Sequence, residues 1–261
     1  MHYVRTGSGT PPLVFVHGFA CSSDDWGLQV EALKGRFEVV TCDLRGHGRT
    51  PGRPQECTIE NFGGDVAALV SVLDLQRPVL IGHSMGCRVV LEASRVAPDR
   101  IGGLVLIDGS RTGTGDPAAA EAAARAAVEK AGYPAFAENL FRQMFFAPSA
   151  LADAIVLRAL KQSAGFGPLL WPAMARWDAA TMDAALAAVR VPALVIQSTT
   201  RNAALKRSML KAGERSPYLD MLGKGLKNSK IEVVPEVGHF TMLEAAERVN
   251  RLISGFAAGD R

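Results

Sequence analysis

The chain has 261 residues, 48% hydrophobic and 21% charged, which excludes a disordered or fibrous protein and fits one large domain or two small ones. Lys and Arg total 29 against 26 Asp and Glu, and a net charge of only +3 gives no ground for nucleic-acid binding. No apolar stretch reaches the length of a transmembrane helix, and Met1–Gly7 lacks the charged-then-apolar layout of an export signal, so a cytoplasmic protein acting on a small molecule is expected.

In chain order, Pro12–Val16 is a continuous apolar β-type run ending at His17-Gly18, followed by an amphipathic stretch from Asp24 to Leu33. Phe37–Cys42 is the next strand and ends at Asp43. Thr58 is a fitting N-cap for a helix over Ile59–Leu73. Pro78–Ile81 is a strand closing at Gly82-His83, Met85–Ala97 reads as helix stopped by Pro98, and Ile101–Ile107 is a strand ending at Asp108-Gly109. Late in the chain, Val191–Ile196 and Ile231–Val234 read as strands and Leu243–Phe256 as a helix. Cys21, Cys42, Cys57 and Cys87 show neither C-x-x-C nor zinc-finger spacing, so ordinary reduced, buried thiols are expected.

Strands that are apolar throughout belong to a sheet covered on both faces, and strand-helix alternation implies parallel pairing. Reactive groups of such a sheet gather at the carboxyl ends of its strands. Here those ends read His17-Gly18, Asp43, Gly82-His83-Ser84, Asp108 and Gly238-His239. One region breaks the rhythm: residues 111–189 are Ala-rich and helical, punctuated by Pro134, Pro148, Pro168 and Pro172. The expected division is a body of residues 1–110 and 190–261, with residues 111–189 inserted as a helical lid.

Gly82-His83-Ser84-Met85-Gly86 matches G-x-S-x-G between a strand and a helix. Small flanking residues permit a sharp turn that lifts the serine hydroxyl clear of the backbone, and the helix aims its N–H groups at developing negative charge. The chain here resembles the α/β-hydrolase fold family, over His17 to about Phe256. His17-Gly18-Phe19 is similar to that family's H-G-x turn, Asp43-Leu44-Arg45-Gly46-His47-Gly48-Arg49-Thr50 to its D-x-R-G-x-G-x-S/T loop, and Gly238-His239-Phe240 to its histidine loop. The resemblance implies an α/β, mostly parallel doubly wound sheet with a helical lid insertion, and few strands before Pro12. It implies Ser84 as nucleophile, His239 as general base, and the backbone N–H groups of Phe19 and Met85 as oxyanion donors.

The acid departs from the family pattern. The strand Leu194–Ile196 leads into Gln197-Ser198-Thr199-Thr200-Arg201-Asn202, with Asn202 where an Asp is usual. Asp108, one strand earlier, is the expected acid of the catalytic triad, with Asn202 as a neutral orienter and Asp220 as further alternatives. Asp43 and Arg45 are expected to bond within their own loop, and Arg111 to lie at the surface. Among the lid aromatics, Phe141, Phe145, Trp171 and Trp177, with Phe19, are candidates for an apolar substrate pocket; packing of lid on body is the competing role. The leading function is a serine hydrolase cleaving a carboxylic ester, lactone or thioester, needing no metal or organic cofactor. A cofactor-independent heteroaromatic-ring dioxygenase using His239 and Asp108 as base, and a non-hydrolytic ligand receptor, are the alternatives from other classes. The oligomeric state is not readable.

Overall fold

The computed structural model describes residues 1–202 and 206–259. In chain order the elements are β1 (Tyr3–Thr6), β2 (Leu13–Val16), a 3-10 turn (Ser23–Trp26), α1 (Gly27–Leu33), β3 (Val39–Cys42), α2 (Ile59–Val72), β4 (Val79–His83), α3 (Met85–Val96) and β5 (Gly103–Ile107). Five helices follow: α4 (Pro117–Ala131), α5 (Tyr133–Arg142), α6 (Ala150–Ser163), α7 (Gly167–Ala180) and α8 (Met182–Ala188). The chain then returns as β6 (Ala193–Gln197), β7 (Thr199–Arg201), β8 (Arg207–Met209), α9 (Pro217–Gly225), β9 (Ser229–Val233), α10 (Thr241–Glu244) and α11 (Ala246–Ala258).

The main sheet has the order β1-β3-β2-β4-β5-β6-β9, parallel throughout except for β1, which pairs antiparallel with β3 at one edge. Strands β2 to β6 are wholly buried, as their unbroken apolar runs demand. Helix α1 packs with α11, and α2 with α3, so helices cover the sheet. The one strand before β2 is the short edge strand β1.

Local chemistry sets the element ends. Thr58 Oγ1 accepts from the Asn61 N–H and starts α2. Asp116 accepts from the Ala119 N–H at 2.8 Å, Pro117 occupies the first turn, and the alanines that follow are the strongest helix formers. The single helix expected over Leu243–Phe256 is instead two: Ala245, at φ −131, leaves the helical region between α10 and α11. Strand β1, the β7–β8 hairpin and α9 escaped the sequence, because strands of three or four residues and a nine-residue helix carry too little periodicity. All four cysteines are free and buried. Among the described residues, no helix is long and apolar enough to cross a membrane.

Candidate active site

Ser84 stands between β4 and α3 with φ 56 and ψ −113, a left-handed conformation that a side-chain-bearing residue holds only when its surroundings impose it. Both flanking glycines are required by space. A Cβ on Gly82 would lie 2.3 Å from the Gly86 carbonyl oxygen, and one on Gly86 2.3 Å from the Val16 carbonyl oxygen. The turn is pinned by the Ser84 N–H, which donates to the Ile107 carbonyl at 2.9 Å.

The hydroxyl so presented lies 2.8 Å from His239 Nε2, and His239 Nδ1 lies 2.6 Å from Asp108 Oδ2. A carboxylate only accepts, so Nδ1 carries the proton and Nε2 turns its lone pair toward the serine hydroxyl. Asp108 is fully buried and sits at φ 43 just past β5. Its Oδ1 accepts from the N–H groups of Ser198 and Thr199, each at 2.8 Å, and its Oδ2 from the Thr199 hydroxyl at 2.6 Å and from Arg207 Nη1 at 3.3 Å. Burial pushes this carboxyl up from its ordinary range; Arg207 and the Ser198 and Thr199 donors oppose that and favour the ionised form. Burial first, then the cations of Arg207, Arg201 and Arg88, hold His239 well below the usual histidine range, so its imidazole is neutral at neutral pH.

The histidine loop is held from three sides. The His239 N–H donates to the Met144 carbonyl at 2.9 Å, the His239 carbonyl is 2.9 Å from His83 Nε2, and Glu244 Oε2 accepts from the Gly238 N–H at 3.2 Å. A Cβ on Gly238 would meet the Met144 carbonyl at 2.7 Å, so the close approach of the inserted segment needs glycine there.

Two alternatives for the acid lie elsewhere. Asn202 accepts from the Lys206 N–H at 3.0 Å and closes the β7–β8 hairpin. Asp220 on α9 is held by Arg215 and is 42% exposed. Asp43 accepts from the N–H groups of Ser23 at 2.7 Å and Arg49 at 2.9 Å; Arg45, contrary to expectation, leaves its loop for a bidentate bridge to Asp65 on α2. His17 is architectural: its Nδ1 is 2.8 Å from the Gly18 carbonyl and its Nε2 accepts from the Leu44 N–H at 3.0 Å.

Phe19, Met85 and Ser84 border one small cavity, roofed by Leu140, Met144, Trp171 and Met174 from the inserted segment. Its free volume is about 20 Å³, room for about one water. Of the aromatic candidates, Phe19 and Trp171 line it, with ring centroids 5.9 Å apart. Phe141, Phe145 and Trp177 do not. Phe141 lies stacked behind Phe19 at 6.3 Å and Phe145 stacks on Phe240 at 5.2 Å. Trp177 is buried a turn beyond Met174 on α7, where the helix packs rather than roofs. Sequence reasoning missed Thr199, Arg201 and Arg207, whose signal was an unusually polar segment after β6, and Arg88 on α3, which carried none.

A sequence profile described as the alpha/beta hydrolase family matches residues 13–252. A dihydrolipoyllysine-residue acetyltransferase component of an acetoin cleaving system from Pseudomonas putida is 30% identical over 259 residues, 96% of this chain and 64% of that protein. The corresponding protein of Cupriavidus necator aligns over 30% of its length, so this chain spans less than two thirds of these relatives. A putative non-heme chloroperoxidase from Synechocystis is 27% identical, covering 98% of this chain and 94% of that one. A thermophilic esterase from Thermogutta terrifontis superposes with a TM-score of 0.79 at 26% identity, over 98% of this chain and 92% of the other. With this sheet order, this strained serine turn and a family match over nearly its whole length, the chain belongs to the alpha/beta hydrolase family.

Proposed function

We propose that this hydrolase cleaves a carboxylic ester, or its lactone or thioester counterpart, through an acyl-enzyme on Ser84. The carrying observation is the unbroken chain from Ser84 Oγ to His239 Nε2 at 2.8 Å and from His239 Nδ1 to Asp108 Oδ2 at 2.6 Å. Ser84 Oγ bonds to the carbonyl carbon while His239 takes its proton. Asp108 fixes the tautomer and stabilises the imidazolium. The N–H groups of Phe19 and Met85 receive the oxyanion, each worth on the order of 3 kcal/mol. The carbon–oxygen bond to the alcohol then breaks and His239 returns the proton to the departing oxygen. Water repeats the sequence on the acyl-enzyme and releases the acid. The helices of residues 111–189 act as a lid on the body formed by residues 1–110 and 190–261. The neutral His239 of the closed site supports this reading, because only the unprotonated imidazole accepts a proton.

A fluorophosphonate probe tests it. Wild type is labelled in a burst and Ser84→Ala is not, and Ser84→Ala also loses turnover of an activated acyl ester. Absent labelling, or equal turnover by both proteins, removes acylation and favours the reading in which His239 and Asp108 act on substrate as a base alone.

A further inference from the structure

Arginine side chains crowd the space beside Ser84. Arg88, Arg201 and Arg207 line the small cavity at the serine. Arg201 and Arg207 also line a second cavity of about 570 Å³, where Arg111 joins them. The two cavities share Ser110 and Thr112 as well, so they meet along a common wall. Neither has an Asp or Glu among its described lining residues. The remaining wall of the larger one is rich in hydroxyl and amide groups, including Thr114, Thr200 and Gln197.

The cations there have different duties. Asp178 holds Arg88 by two bonds of 2.7 Å, and Asp183 holds Arg111 at 2.8 and 3.0 Å. Arg207 reaches Asp108 and the Thr199 hydroxyl. Arg201 lies over the Trp171 ring at 5.7 Å and donates to Thr112 Oγ1 at 3.3 Å, which places its guanidinium at the wall between the cavities. Burial, then Arg207 and Arg88, pull Arg201 down to about 9. Arg201 therefore stays charged at neutral pH, and with Arg207 and Arg88 close by, the wall between the cavities carries a positive potential that favours an anion.

We propose that the substrate is an ester bearing a free carboxylate, seated in the 570 Å³ cavity against Arg201 while its scissile carbonyl meets Ser84. The proposal rests on the Ser84 acylation reading for its second half only; the anion site stands on the cavity and its arginines. A planar guanidinium pairs with a carboxylate through two parallel bonds, which a neutral ester group cannot match.

The test compares matched esters with wild type: p-nitrophenyl hemiglutarate against p-nitrophenyl valerate, and 4-acetoxybenzoate against phenyl acetate. These place the carboxylate on the acyl and the alcohol side respectively. One anionic ester is expected to exceed its neutral partner in kcat/KM by on the order of 10- to 100-fold. Arg201→Gln collapses that ratio toward one, and Arg201→Lys restores part of it, with melting temperatures confirming that both variants fold. Calorimetry of wild type with free glutarate reads the anion site without acylation: binding is expected, weakened at least tenfold in Arg201→Gln. Neutral esters favoured or equal in both pairs, or a preference untouched by Arg201→Gln, overturns the proposal. Loss of fluorophosphonate labelling with glutarate binding intact would instead overturn the acylation reading.

Discussion

Asp108 Oδ2 and His239 Nδ1 lie 2.6 Å apart although 131 residues separate them in the chain. The pair spans from the end of β5 to the loop after β9, with β6 between. Ser198 and Thr199, just past β6, bridge the gap by donating to the same carboxylate.

Asp108→Asn is therefore expected to lower kcat by up to about 10⁴-fold, because the amide carries no charge and favours the wrong imidazole tautomer. Asn202→Ala, which removes an exposed acceptor for the Lys206 N–H remote from His239, is expected to change kcat less than about threefold. Steady-state kinetics on one activated ester decide between them. A crippled Asn202→Ala beside a near-normal Asp108→Asn would reassign the acid.

The histidines set the response to acid. Burial, with a neighbouring imidazole, lowers His47 and His83 to about 3 against an unfolded value near 6.5. Below pH 6.5 the unfolded chain takes up protons that the folded chain refuses. Their contribution is thus complete above pH 6.5 and is lost progressively down to about 3, at up to about 1.4 kcal/mol per pH unit for each. Urea denaturation at pH 7.5, 6.0 and 5.0 is expected to show falling stability. Over the upper part of that range kcat/KM should fall less than about twofold between pH 7.5 and 6.0, whereas a base titrating at 6.5 would give about fourfold. A flat stability profile, or a fourfold loss of rate, contradicts these assignments.

Arg88 and Asp178 form a buried bridge, 3% and 0% exposed, between the helix that follows Ser84 and α7 of the insertion. The same Asp178 accepts from the Thr112 N–H at 2.6 Å. Asp178→Ala leaves a buried cation and a backbone donor unmatched and should cost about 3–5 kcal/mol. Arg88→Met combined with Asp178→Leu should cost clearly less. Chemical denaturation of single and double variants checks this; a double variant as unstable as the sum of its parts would show that the two charges do not act as a pair.

Much of this was written in the chain at short range. The G-x-S-x-G turn was legible because its glycines answer to contacts within the turn and with the adjacent strand, Gly82 against Gly86 and Gly86 against Val16. Strands β2 to β6 were legible because burial on both faces keeps them mostly apolar, with polar residues such as His83 and Gln197 confined to strand ends. The roles of the aromatics in the inserted helices were not. Whether Trp171 or Trp177 faces Ser84 depends on the roll of α7 about its axis, and Pro172 inside that helix and the packing of α4 against it set that roll. The arginines beside the serine were invisible for a related reason: Arg88, Arg201 and Arg207 come from three separate elements and meet only in the folded chain.

The bond from the His239 N–H to the Met144 carbonyl ties the histidine loop to the roof of the cavity. With room for about one water beneath it, the small cavity admits an ester only if one of its walls shifts. A shift at Met144 reaches the histidine loop directly through this bond, one of three that hold the loop. The roof over the serine and the loop that carries His239 are thus mechanically joined, so a displacement of one is felt by the other.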